Sequence, residues 1–139
     1  MITVVELELY RILIDDDEQN NTVILKEKSG DQFLPIFIGH AEAKAIELKA
    51  LDESFDRPLT HDLFLNFFES LNIEVISVLL TKIVDSTFYA VINSRRCEGD
   101  TEVAIDARPS DALAIAIRTN CPIYCPSDLL EEASISLHN

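Results

Sequence analysis

Arg57-Pro58-Leu59-Thr60-His61-Asp62-Leu63 places a guanidinium, a hydroxyl, an imidazole and a carboxylate where a loop turns into a helix. Pro58 fixes its own φ and disfavours helix at Arg57, so the helix is expected just beyond it. Thr60 is the expected N-cap. Asp62 falls in the first turn, where the helix dipole favours negative charge. Leu63, Phe64, Phe67, Phe68 and Leu71 share one helical face, which predicts a helix strongly anchored in the core. Asp62 alone reads well as a dipole partner. Capping, however, requires neither the arginine nor the histidine.

Upstream, Val4 to Ile14, Thr22 to Lys28 and Phe33 to Ile38 read as strands of an antiparallel meander. In the first of them Val5, Leu7 and Leu9 share one parity over the first half, and Glu6 and Glu8 the other. The charged run Asp15 to Asn21 reads as a solvated turn, since it lacks the central glycine and distal glutamate of an EF-hand loop. Ala41 to Leu51 is a predicted helix with Ala41, Ala45 and Leu48 along its apolar stripe. Glu42 lies beside that stripe, as a dipole partner or as a buried functional acid. Downstream, Ile73 to Val84 and Thr87 to Asn93 are strands joined by Asp85-Ser86, a two-residue hairpin signal. Glu102 to Asp106 is a further strand, after a turn around Gly99. Asp106-Ala107-Arg108-Pro109-Ser110-Asp111 then opens a helix whose run Ala112 to Ile117 has no polar face and must be buried on most sides. Pro122 to Cys125 is a short strand, and Ser127 to Ala133 a short helix capped by Ser127, with a fraying tail. The expected fold is α+β: a mostly antiparallel sheet with three main helices and a short C-terminal helix, in a single compact domain over residues 1–139.

The chain has 139 residues, enough for a core without disulfide or metal staples. No apolar run approaches a membrane span, and the N-terminus carries no signal-peptide pattern, so a cytoplasmic protein is expected. Cys97, Cys121 and Cys125 lack zinc-finger or redox spacing. They read as reduced thiols, the last two as small core residues. With 25 acidic against 11 basic residues, the net charge of −14 repels phosphate backbones and speaks against nucleic-acid binding. The high apolar fraction under such a charge, together with strand edges that need cover, predicts a homo-oligomer.

The two helix openings share a design of arginine–proline pair, hydroxyl and aspartate. Two readings stay open. In one, the charges form a structural arginine–aspartate lattice. In the other they build an acid/base or metal site: His61 as base or metal ligand, Asp62, Asp106, Asp111 and Glu42 as carboxylates, Arg57 and Arg108 as clamps on an anionic substrate, with Thr60 and Ser110 beside them. Asp62, Asp106 and Asp111 are the candidate ligands for a divalent cation, Mg²⁺ or Mn²⁺; no organic cofactor is expected. No phosphate loop, nucleophile elbow or zinc-protease motif occurs. Tyr89 reads as a core residue whose hydroxyl reaches a partner.

Five motifs occur in family order: Leu34-Pro35-Ile36-Phe37-Ile38-Gly39 with Glu42-Ala43, the Arg57 to Leu63 stretch, Asp85 to Ala90, Asp106 to Ala112, and Pro122-Ile123-Tyr124. From about Phe33 to Leu130 the chain resembles the bifunctional nuclease domain family. The resemblance implies a compact, often self-associating α+β domain, a hydrolase acting on DNA and RNA. It carries no agreed catalytic residues across. Ser86 stands where the family usually has glycine. Some relatives continue into a UvrB/UvrC-type helical hairpin, and no such appended module is expected here. The competing reading is a non-enzymatic acidic binding or assembly domain.

Overall fold

Two three-stranded meanders and one short strand between them make the sheet of this protein. The structure is a computed structural model that describes residues 3–15 and 20–136. Most of the turn expected at Asp15 to Asn21, and the last three residues of the tail, lie outside the described residues. The first meander is β1 (Val4–Leu13), β2 (Asn21–Glu27) and β3 (Phe33–Ile38). The helices α1 (His40–Ala50) and α2 (Thr60–Ser70) lead to the second, β4 (Ile73–Val84), β5 (Thr87–Arg96) and β6 (Thr101–Ala107). Then come α3 (Pro109–Thr119), β7 (Ile123–Pro126) and α4 (Ser127–Ala133).

The strand order is β3-β2-β1-β7-β4-β5-β6. Only β7 with β4 is parallel; β7 is antiparallel to β1 and joins the meanders. The α+β, mostly antiparallel architecture therefore stands as expected. Pro35 lies on the edge strand β3, where a missing ladder donor is tolerated. In β1, Leu7 is buried and Val5 and Leu9 pack beside it, as their shared parity requires. A register shift between Leu9 and Arg11 ends that parity and turns Ile12 back toward the core.

α3 is the central helix. Ala112 to Ala116 are all buried, as an apolar run without a polar face demands. It packs on β4 and β5, and α1 and α2 pack on it. In α1 the buried residues are Ala43 and Ile46, not the stripe of Ala41, Ala45 and Leu48. That helix has apolar residues on several sides, so periodicity alone could not choose its inner face.

The anchoring expected of α2 is corrected more strongly. Of its apolar stripe only Phe68 is buried, while Leu63, Phe64, Phe67 and Leu71 are exposed. Leu65, off the stripe, packs against the core. The expected caps also move by one residue. Thr60 and Ser127 are the first residues of their helices, and Leu59 and Pro126 take the N-cap positions.

The hairpin closes as predicted. Val84 pairs with Thr87, and Asp85 and Ser86 both hold positive φ, at 50° and 63°. This is the type I′ pattern that matches strand twist. Glycine at position 86 relieves the left-handed cost to a side chain but loosens the unfolded chain. Ser86→Gly is expected to leave stability unchanged or to raise it by at most about 1 kcal/mol, measured by chemical denaturation. A clear loss would mean that the serine side chain itself holds the turn.

Candidate active site

Asp62 and Asp111 each stand at the third position of their helices, where a carboxylate can reach back over the N-terminus. Asp62 Oδ2 accepts from the Leu59 backbone N–H at 3.0 Å. Its Oδ1 accepts from Arg118 Nε at 2.9 Å. Arg118 comes from the last turn of α3, and its side chain is only 4% exposed. Its other nitrogens donate to the carbonyls of Ala114 in α3 and Ala45 in α1, at 3.0 and 3.1 Å. One buried guanidinium thus ties three helices together. Burial pushes the Asp62 carboxyl up, but the Leu59 and Arg118 hydrogen bonds outweigh it and hold the carboxyl below its ordinary value.

Asp111 is placed differently. Its Oδ2 accepts from Arg108 Nε at 2.9 Å and its Oδ1 lies 2.9 Å from His61 Nε2. Here too burial raises the carboxyl, and the bonds from Arg108 and His61 lower it by more. A carboxylate can only accept, so Nε2 carries a proton, and in the neutral imidazole Nδ1 keeps the lone pair. Arg108 Nη1 also reaches Glu42 Oε1 at 3.5 Å. Gly39 lets Glu42 fold back, because the Glu42 carboxylate occupies the space where a Cβ at position 39 would stand. The chain Glu42–Arg108–Asp111–His61 therefore joins the starts of α1, α3 and α2.

Two clefts open on this chain. The larger, about 540 Å³, lies between β3, the β4–β5 turn and the start of α3, with Phe37, Glu42, Tyr89, Asp106 and Arg108 on its walls. β3 and β6 are opposite edges of the sheet, so the sheet curls enough to bring both to one cleft. The smaller, about 300 Å³, is bounded by Thr60, His61, Phe64, Asp106 and Asp111. Asp106 borders both, and its carboxylate makes no hydrogen bond or ion pair among the described residues.

The candidate residues thus fall into two groups. Glu42, His61, Asp106, Arg108, Asp111 and Thr60 gather at the clefts. Ser110 is buried at their margin, 5% exposed. Arg57 is exposed on a separate surface with Asp62 and Arg118. The starts of α2 and α3 are joined by a histidine–aspartate contact, and the arginine–aspartate pair between these helices runs from the end of α3 to the start of α2. Tyr89 is 41% exposed rather than in the core, with Lys82 Nζ 4.8 Å from its ring centre. Arg118 went unnoticed in the sequence. Its signal was a lone cation in an apolar helix, two turns beyond Asp111. Phe37 was also missed, although it has the outward parity of a strand whose Leu34 and Ile36 point in.

Among the described residues no three histidine, cysteine, aspartate or glutamate side chains form a ready-made metal cage. Asp62 and Asp111 have both oxygens engaged. Asp106 is the candidate ligand left open, and Mg²⁺ needs only one or two carboxylates when substrate phosphate completes its shell.

The sequence profile of the bifunctional nuclease domain matches residues 23–138. The uncharacterized proteins MT1877 and Rv1829, from two strains of Mycobacterium tuberculosis, are each 34% identical over 130 residues, spanning 94% of this chain and 76% of theirs.

Arg118→Ala is expected to destabilise the fold by about 3 kcal/mol, since it strands Asp62 and two carbonyls. Arg118→Lys should restore little, because an ammonium cannot reach all three acceptors. Chemical denaturation reads both. The lowered Asp62 value also sets a pH dependence. An unfolded aspartate titrates near about 4, so the stability that Asp62 contributes is full above that pH and is lost as pH falls through the lower folded value. The melting-temperature gap between wild type and Asp62→Asn should be constant near neutrality and close in acid. A gap that widens in acid would reverse the sign.

Proposed function

This chain belongs to the bifunctional nuclease domain family, and on that premise we propose that it hydrolyses phosphodiester bonds of DNA and RNA at the paired clefts. The observation that carries this reading is the Arg108–Asp111–His61 chain, whose second imidazole nitrogen has no hydrogen bond among the described residues, beside a cleft that His61 lines. His61 Nδ1 takes the proton from the attacking water as its oxygen bonds to phosphorus; the P–O bond to the nucleoside oxygen breaks, and that oxygen leaves with a proton from the imidazolium or from solvent. Asp111 fixes the tautomer and stabilises the imidazolium, and Arg108 keeps Asp111 ionised while its guanidinium faces the phosphate. The first free N–H groups of α3 add positive potential at the same mouth. Asp62 serves position rather than chemistry, since both its oxygens hold structure. Mg²⁺ or Mn²⁺, held by Asp106 and substrate oxygens, would supply Lewis-acid charge at the phosphate.

The competing class is an acidic assembly domain, favoured by the exposed Leu63, Phe67 and Leu71 on α2 and by the net charge of −14. We propose that this face supports a homo-oligomer, which a monomer in sedimentation at tens of micromolar would refute. Among the described residues no helix is long and apolar enough to cross a membrane. The free Cys97, Cys121 and Cys125 support a cytoplasmic setting. Burial, with Glu27 nearby, pushes the Cys125 thiol up to about 11, so it is an inert core group.

His61→Ala should cost roughly 1 kcal/mol of stability and reduce cleavage by about 10²-fold or more. Protein freed of host nucleases, assayed on DNA and RNA with and without chelator, measures this. Equal rates for wild type and His61→Ala would point to the assembly reading.

A further inference from the structure

The larger cleft has an aromatic wall that acid/base chemistry does not use. Phe37 on β3 is 77% exposed, more than any other large apolar residue described, and Tyr89 on β5 is 41% exposed. Both rings border the same cleft as Arg108 and the start of α3. The Tyr89 hydroxyl makes no hydrogen bond among the described residues, and Lys82 sits over its ring. Apolar rings left in water beside a guanidinium fit a ligand that has both a flat face and a phosphate.

We infer that this cleft is a base-stacking subsite and that the substrate is single-stranded nucleic acid, with an unpaired base on Phe37 and Tyr89 and the adjoining phosphate at Arg108. The inference rests on reading the clefts as a phosphodiester site. Charge decides between single strand and duplex. Duplex affinity comes mainly from cations that neutralise several phosphates at once. This chain carries −14 overall, and among the described residues one cation, Arg108, lines the cleft, with Lys82 outside the lining over the Tyr89 ring. Stacking attracts a base whatever the net charge, but a duplex keeps its base faces covered. The cleft volume, about 540 Å³, is also that of a small-ligand pocket rather than of a duplex-binding surface.

The chain contains no tryptophan, so Phe37→Trp supplies a single fluorescent reporter. It is best made with His61→Ala, so that the probe is not consumed. Titration with an oligothymidylate of about fifteen nucleotides should quench that tryptophan. Without the reporter, in the His61→Ala background, Phe37→Ala and Tyr89→Ala should each weaken binding roughly tenfold while the melting temperature holds. The slope of log affinity against log salt should be small, with a magnitude of about 1 to 2. The same sequence as a blunt duplex should bind at least roughly tenfold more weakly. Absent quenching, no binding, unchanged affinity of both alanine variants, or equal binding of duplex and single strand would each overturn the inference. The two readings fail separately. Binding and quenching without cleavage by wild type would remove the nuclease chemistry and keep the subsite. Cleavage of both strand forms alike, indifferent to Phe37→Ala, would remove the subsite and keep the chemistry.

Discussion

The buried guanidinium of Arg118 is the constraint on which the site depends. A cation held at 4% exposure survives only when every face of it is answered. Here it is answered by a carboxylate and by carbonyls from two helices. The apolar contribution of α2 is small, with Phe68 its one buried residue. Its start is held instead by Asp62, and His61 is the residue just before it. The imidazole thus meets Asp111 because Arg118, two turns further along α3, has already fixed the neighbouring carboxylate.

The elements were largely legible because their signals are local. Hairpin length, β-branched runs, Pro109 at a helix start and the unbroken apolar run of α3 each need only a few neighbouring residues. Sheet order was not legible. The two meanders are joined by β7, four residues long, parallel to β4 on one side and antiparallel to β1 on the other. Nothing within those residues names their partners. The face of α2 misled for a related reason. Periodicity finds an apolar stripe but not what covers it, and a helix at the edge of its layer leaves that stripe in water. The candidate site was legible as a list of residues, since most of the polar positions do converge. The wiring was not, because Arg118 reaches Asp62 across 56 positions of sequence.

The acidic surface also looks different once the charges are placed. Asp62 and Asp111 are each neutralised locally by an arginine, and Glu42 shares Arg108 with Asp111. At the clefts, however, Arg108 answers two carboxylates and Asp106 has no ion pair among the described residues, so the local charge stays acidic and a divalent cation would offset it for an anion. The long-range field still opposes a polyanion that approaches along its whole length.

The two helix openings finally show how one motif divides into two roles. Both place proline shortly after arginine and aspartate at the third helical position. In α2 the aspartate caps its helix through the Leu59 backbone N–H, which leaves one oxygen for Arg118. In α3 the aspartate takes the side chain of Arg108 instead, which leaves one oxygen for His61. The first arrangement spends its free oxygen on a buried guanidinium whose other nitrogens are held by two carbonyls, and so it is fixed. The second spends it on an imidazole, which holds Asp111 through one ring nitrogen and has a second. The same geometry at two helix starts thus yields one joint closed by a buried guanidinium and one that ends on an imidazole, and only the second faces the two clefts.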